Sequence, residues 1–273
     1  MGVYNIDGDN LFDATKTMER VISNNLRDKA YMHQLLSESG GTMQGACTDG
    51  EFIYYIYYNR NTIKKYDIKT GTVTSKTYTD GLYGHANDMT YNPNTNKLYI
   101  ATMNDYGHIC SVNPSTLEYE NTFILKWGNG DIAVCHGIAY DRIHNRYILT
   151  VVPPDGITAY GQYYMITDSN FNYIKTMVTP QPEIYTIQGC ETDGYLIYRT
   201  LWDNTNNTNY INVYNYNGEY FKTIHIENAS ELESVMQDWA GNWYCNFNTS
   251  DGGSLYVCGL HKYPFESMEV MHE

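Results

Sequence analysis

One six-residue motif is written five times along this chain, and a repeat constrains a fold more than any single segment can. The copies are Gln44-Gly-Ala-Cys-Thr-Asp49, Asn87-Asp-Met-Thr-Tyr-Asn92, His136-Gly-Ile-Ala-Tyr-Asp141, Gln188-Gly-Cys-Glu-Thr-Asp193 and Glu233-Ser-Val-Met-Gln-Asp238. Each opens on a polar residue and closes on Asp or Asn, and the starts lie 43, 49, 52 and 45 residues apart. A period in the forties, in a chain rich in Gly and aromatics, predicts a β-propeller with one blade per period. Five copies predict five blades, at about 41–82, 83–130, 131–182, 183–229 and 230–273.

The remainder of each period agrees. After the motif comes a turn and a second apolar run: Phe52–Tyr58, Lys97–Met103, Arg146–Val152, Tyr195–Trp202 and Trp243–Phe247. A third run follows at Ile63–Asp67, Ile109–Asn113, Tyr163–Asp168, Ile211–Tyr216 and Leu255–Leu260. Four periods add a fourth, at Thr72–Tyr78, Leu117–Leu125, Tyr173–Val178 and Tyr220–Ile226. The runs are short, rich in Tyr, Ile, Val and Thr, and bounded by Asn, Asp, Gly and Pro. Lys69-Thr-Gly71 and Asn217-Gly218 carry hairpin-turn chemistry. The expected unit is a blade of four antiparallel strands. The closing Asp or Asn of each motif (49, 92, 141, 193, 238) reads as a turn residue bonding backbone amides.

Residues 1–40 stand apart as an N-terminal stem or attachment segment. A helix is expected over 11–36, with a broken apolar stripe of Leu11, Met18, Val21, Ile22, Leu26 and Leu35. Ser37–Gly41 then serves as a hinge. The fifth period has only three clear strands, and an open strand edge must be covered. Closure is expected from the C-terminal tail, Ser267–His272, in preference to the N-terminal side.

Charge excludes some partners. Seventeen Lys and Arg against 31 Asp and Glu give a net charge of −14, which opposes nucleic acid and anionic lipid surfaces. No run of about 18 apolar residues predicts a membrane span, and the N-terminus lacks the charged and apolar regions of a signal peptide. The six cysteines never stand at C-x-x-C spacing and read as buried free thiols. Nucleophile-elbow, His-Glu-x-x-His and phosphate-loop motifs are absent, so neither a catalytic set, a metal site nor a cofactor is expected from motifs. The 29 tyrosines suit half-buried sheet faces, where the ring packs and the hydroxyl finds a partner.

Candidate site residues follow from register. The motif is the innermost strand, so its first position forms a ring at one height of the central channel: Gln44, Asn87, His136, Gln188 and Glu233. The second position is small or acidic: Gly45, Asp88, Gly137, Gly189 and Ser234. Asp88, His136 and Glu233 are the titratable members. Two readings stand side by side. The ring satisfies itself and ordered water, or it binds a ligand such as a sugar or a cation at the channel mouth. Trp127, Tyr160, Tyr185 and Trp239 are added as aromatics for a ligand-binding propeller face.

Two stretches carry a family resemblance. Gln44-Gly-Ala-Cys-Thr-Asp-Gly50 with its Tyr-rich strands, and Gly84-His-Ala-Asn-Asp-Met-Thr-Tyr-Asn-Pro-Asn-Thr-Asn-Lys-Leu-Tyr99, resemble propeller domains of phage tail receptor-binding and minor structural proteins of Gram-positive hosts. The resemblance covers about residues 41–265 and is best in the first two periods. Lactonase-like propellers share the motif more loosely. The resemblance implies a platform on a stem, commonly a homotrimer, among other tail or virion proteins, binding cell-wall glycopolymer such as teichoic acid. The leading expectation is therefore a virion-associated adhesin, made in the bacterial cytoplasm, that binds surface carbohydrate without turnover. One alternative is a glycan hydrolase or lyase at the channel mouth, using Glu233 with Asp88 or His136 assisting. Another is a non-catalytic protein–protein scaffold of a tail or other assembly.

Overall fold

A computed structural model describes residues 14–58, 61–78, 83–103, 107–152, 163–179, 185–249 and 251–262. Helix α1 (Ala14–Asn25) leads into strand β1 (Leu26–Ser39). The strands then come in runs that each begin on the repeated motif. The first run is β2 (Met43–Thr48), β3 (Phe52–Tyr57), β4 (Thr62–Asp67) and β5 (Val73–Thr77). The second is β6 (Asp88–Asn92), β7 (Lys97–Ala101), β8 (His108–Val112) and β9 (Tyr119–Ile124). The third is β10 (Cys135–Asp141), β11 (Arg146–Val151), β12 (Tyr163–Asp168) and β13 (Tyr173–Val178). Next come β14 (Thr186–Thr192), β15 (Leu196–Asp203), β16 (Thr208–Asn215) and β17 (Tyr220–Ile226). The last run is β18 (Glu231–Gln237), β19 (Trp243–Thr249) and β20 (Gly252–His261).

The first three runs each form a four-stranded antiparallel sheet. The remaining strands form one eight-stranded sheet in the order β14-β15-β16-β17-β1-β20-β19-β18. The motif strands meet in a closed circuit: β2 touches β6, β6 touches β10, β10 touches β14, β14 touches β18, and β18 touches β2. The sheets radiate from that circuit as in a β-propeller. Burial follows position: every residue of β2 and β10 is buried, whereas the outer strands β9 and β13 are largely exposed.

Side-chain chemistry explains the local structure. The motif's closing residue builds the turn after each inner strand. Asp49 Oδ1 accepts the N–H groups of Glu51 and Phe52, and Asp193 Oδ1 accepts those of Tyr195 and Leu196. Asp141, Asp238 and Asn92 take the same kind of bond. The second carboxylate oxygen anchors a buried tyrosine, as in Tyr54 to Asp49 at 2.6 Å and Tyr198 to Asp193 at 2.7 Å. Burial thus leaves these phenols with partners. All six cysteines are free and buried.

The N-terminal segment departs from expectation. The helix expected over 11–36 ends at Asn25, and the supposed hinge begins inside β1. Strand β1 pairs antiparallel with β20 from Leu26↔His261 to Ser39↔Gly252, and bridges β17 in parallel at Lys29↔His225. The last run is therefore completed from the N-terminal side, not by the C-terminal tail; Ser267–His272 lies outside the described residues. The physical reason is the open edge of β20, whose unpaired backbone groups outweigh a modest helix propensity. Gly252 makes the approach possible, since a Cβ there would sit 1.9 Å from the Glu38 carbonyl oxygen. Glu38 in turn accepts Lys64 Nζ at 2.8 Å and Tyr55 OH at 3.0 Å, which ties the end of β1 to the first sheet.

Leu26 is 0% exposed in the core between α1 and the last sheet, whereas Tyr31 on the same strand is 65% exposed. Leu26→Ala is expected to cost about 2–5 kcal/mol in urea unfolding, and Tyr31→Ala less than about 0.5 kcal/mol. Equal small losses would mean that β1 is not docked in solution.

Candidate active site at the channel mouth

Asp88 lies fully buried at the centre of the circuit. Its Oδ2 accepts the backbone N–H groups of Ile138 at 2.9 Å and Cys190 at 3.0 Å, and its Oδ1 accepts the Ser234 hydroxyl at 2.6 Å. One side chain thus holds β10, β14 and β18. Strand β2 is held by contact, because a Cβ on Gly45 would stand 2.5 Å from Asp88 Cα. A Cβ on Gly189 would stand 2.7 Å from Asp88 Oδ1. Burial pushes Asp88 up to about 7, against four donors that hold it down: the Ser234 hydroxyl and the N–H groups of Cys190, Ile138 and Met89.

β-Bulges aim the first motif position. In β2, β10, β14 and β18 the pairing with the next strand shifts register at the motif start, so Gln44, His136, Gln188 and Glu233 fall at the irregular step. A bulge turns a side chain out of the sheet alternation, a common device beside binding sites. Asn87 immediately precedes β6. These five residues are all buried, and neighbours bond in pairs. Gln44 Nε2 donates to Glu233 Oε1 at 2.9 Å, and Asn87 Nδ2 donates to the His136 carbonyl at 2.9 Å. Gln188 Nε2 reaches past the ring to Glu231 Oε1 at 2.6 Å.

Glu231 is the group that register reasoning misses. It pairs across strands with Asn248, whose Nδ2 donates to Glu231 Oε2 at 3.4 Å, and it is partly exposed where Glu233 is not. Burial raises Glu231 above its ordinary value; burial, then the charge of Glu231, raises Glu233 well above its own. Two carboxyl groups so placed do not ionise together readily. Among the described residues, Gln44 Oε1, Glu233 Oε2 and Asn248 Oδ1 have no hydrogen-bond partner. Three acceptors of this kind fit a water or a ligand hydroxyl. No group of three His, Cys, Asp or Glu placed to hold a metal occurs among the described residues.

Other polar groups surround this end of the axis. Burial, then the charges of His85 and Arg199, push His136 down to about 4, so it is neutral at pH 7. Arg199 is fully buried, with its guanidinium 4.3 Å from the Tyr164 ring centre. Thr200 Oγ1 donates to the Glu233 carbonyl at 2.8 Å. A cleft of about 570 Å³ opens just before Gln188, lined by Tyr185, Thr186, Ile187, Trp202 and the turn at 203–206. Tyr185 stacks on Tyr210, ring centres 5.1 Å apart.

The expected surface aromatics separate. Tyr185 lies in this cleft and Trp239, 55% exposed, lies beyond the other end of the inner strands. Trp127 is no surface residue: it is 8% exposed and packs with Leu125, Ala133 and Tyr147 in a core cluster, because the turn closing on Asp131 folds it inward. Tyr160 lies outside the described residues. Asp88 has no free oxygen for a ligand and anchors the ring instead.

No protein-family profile matches the chain, and no curated protein matches it by sequence. Solved structures do resemble it in shape. A glutaminyl cyclase from Myxococcus xanthus gives a TM-score of 0.58 at 11% identity, covering 85% of this chain and 97% of that one. A calcium-binding regucalcin from Agrobacterium tumefaciens gives 0.55 at 8% identity, covering 85% and 95%. A luciferin-regenerating enzyme gives 0.52 at 9% identity, covering 86% and 98%. At such identities the likeness shows the β-propeller fold alone.

Asp88→Asn keeps one acceptor, which can serve the Ile138 and Cys190 N–H groups, but turns its amide N–H₂ toward the Ser234 hydroxyl, which loses its acceptor. It is expected to cost about 2–4 kcal/mol; a loss below about 0.5 kcal/mol would remove Asp88 from the centre of the circuit. The same variant isolates a pH effect. A carboxyl whose folded pKa is raised contributes stability that is complete below its unfolded value, about 4, and lost as pH rises through the folded value. With Asp88 at about 7, the advantage of wild type over Asp88→Asn should shrink from pH 4 to pH 8. A widening gap over that range in urea midpoints contradicts it.

Proposed function

We propose that this chain is a glycan hydrolase or lyase whose substrate enters the cleft at Tyr185 and whose proton-transfer group is Glu231. The observation that carries this reading is the Glu231–Glu233 carboxyl pair, which Gln188 ties to the strand whose first residues line that cleft, with Gln44 Oε1, Glu233 Oε2 and Asn248 Oδ1 unpartnered. Glu231 is the member with access to a substrate, and Gln188 and Asn248 orient it. Glu233 and Gln44 position it from below. Aromatic Tyr185 and the amides of the 203–206 turn suit a sugar ring with its hydroxyls. Neutral His136 serves as a hydrogen-bonding neighbour and not as a cation.

The architecture we propose is five blades, with the eight-stranded sheet read as two blades joined by the single parallel bridge of β1. A second reading keeps the same ligand class without turnover: a tail adhesin, trimeric and virion-borne, that binds wall glycopolymer. Its support is the sequence resemblance of the first two repeats, together with the exposed indole of Trp239.

Turnover separates the two. Purified protein incubated with Gram-positive wall polymer and with defined neutral and uronate-containing polysaccharides is expected to release new reducing ends. Hydrolysis leaves saturated products, whereas a lyase leaves a carbon–carbon double bond visible in the ultraviolet. Glu231→Gln should lower the rate by about 10²–10⁴-fold with substrate binding retained. Binding without product from any polymer would replace the enzyme reading with the adhesin.

A further inference from the structure

The opposite end of the axis carries chemistry that the proposed reaction does not use. There the turns after β2, β10 and β18 are laced together. Arg142 Nη1 donates to the Asp238 carbonyl at 3.1 Å, and its Nη2 donates to Gln237 Oε1 at 3.1 Å. The guanidinium lies 5.2 Å from the Trp239 ring centre, and Trp239 Nε1 donates to the Asp49 carbonyl at 3.0 Å. The indole is thereby fixed at the rim while remaining 55% exposed. Beneath it is a cavity of about 30 Å³, lined by Thr48, Thr90, Tyr91, Tyr140 and Glu191 as well as the rim residues. That volume holds one water or one hydroxyl, not a whole ligand.

Glu191 is a half-buried titratable group lining this cavity. Its oxygens accept the N–H groups of Thr192 at 2.8 Å and Gln237 at 3.4 Å. Burial pushes it up to about 8, against the Thr192 and Gln237 N–H groups and the charge of Arg142.

We propose that this far mouth is a non-catalytic sugar-binding site, in which a pyranose ring stacks on Trp239 and one of its hydroxyls enters the cavity beside Glu191 and Thr90. Charge decides between ligand classes. Arg142 at the rim opposes a cation, and the net charge of −14 opposes an anion. A neutral, oxygen-rich molecule with an apolar face remains, and a fixed indole flanked by the Gln237 amide, the Arg142 guanidinium and the Glu191 carboxyl is complementary to it. The site requires no turnover at Glu231 and is independent of it.

The test is titration of the full-length protein with glucose, N-acetylglucosamine and their soluble oligosaccharides, followed by tryptophan fluorescence and calorimetry. Wild type is expected to bind at least one of them with Kd below about 10 mM. Trp239→Ala should weaken binding by about tenfold or more, and Trp239→Tyr should stay within about threefold of wild type because a ring remains. Circular dichroism confirms that both variants are folded. Glu231→Gln should bind as wild type does, so a failed enzyme reading leaves this outcome untouched. The proposal is overturned if no sugar binds, if Trp239→Ala binds as tightly as wild type, or if Tyr185→Ala abolishes binding instead.

Discussion

Everything in this fold converges on the Asp88 carboxylate. A carboxyl group is an expensive thing to bury, and it persists only where donors meet it from all sides. Here those donors belong to three other inner strands, so the group that most needs partners is also the one that fixes where those strands stand. The glycines at Gly45 and Gly189 belong to the same constraint, since any Cβ would collide with Asp88. The central contact is thus polar and directional, and the large apolar clusters lie further out between the sheets.

Closure is the second constraint. A circuit of sheets is stable only if its last member is complete, and here β1 supplies the missing strand. The strand is anchored at both ends. Leu26 sits in the core with Ile22 of α1, and Glu38 bonds Lys64, Tyr55 and Tyr57 of the first sheet. Residues far apart in sequence are joined there, which makes the N-terminal segment part of the fold's cooperative unit.

Periodicity made the strands legible, because each motif copy restarts the same pattern of burial. Tyr163–Asp168, Tyr173–Val178 and Tyr220–Ile226 fall where the pattern puts them. Residues 26–39 do not declare themselves, since Leu, Lys, Ala, Met and Gln favour helix and only a distant edge makes them a strand. The ring residues are readable as a set, but their bulged backbone is not, because a bulge is a property of two paired strands. Glu231 escapes for a different reason: it lies two residues before the motif copy, in the same strand, and its charge still reaches Glu233. Trp127 misleads in the opposite direction, because neighbouring Gly, Asn and Asp imply an exposed turn while the ring folds under it.

The position of Asp88 has a further consequence for any chemistry along the axis. Its side chain fills the centre, 0% exposed, with backbone groups of the surrounding strands packed against it. The cleft at Tyr185 and the opening beside the Arg142–Trp239 lacing are therefore separate features of the fold. The two ends also differ in kind. The upper end presents unpartnered acceptors around a carboxyl pair, whereas the lower end presents donors around a fixed indole. Any coupling between them has to pass through the inner strands themselves. The most direct route is β14, which carries Gln188 at one end, Cys190 against Asp88 in the middle, and Glu191 at the other.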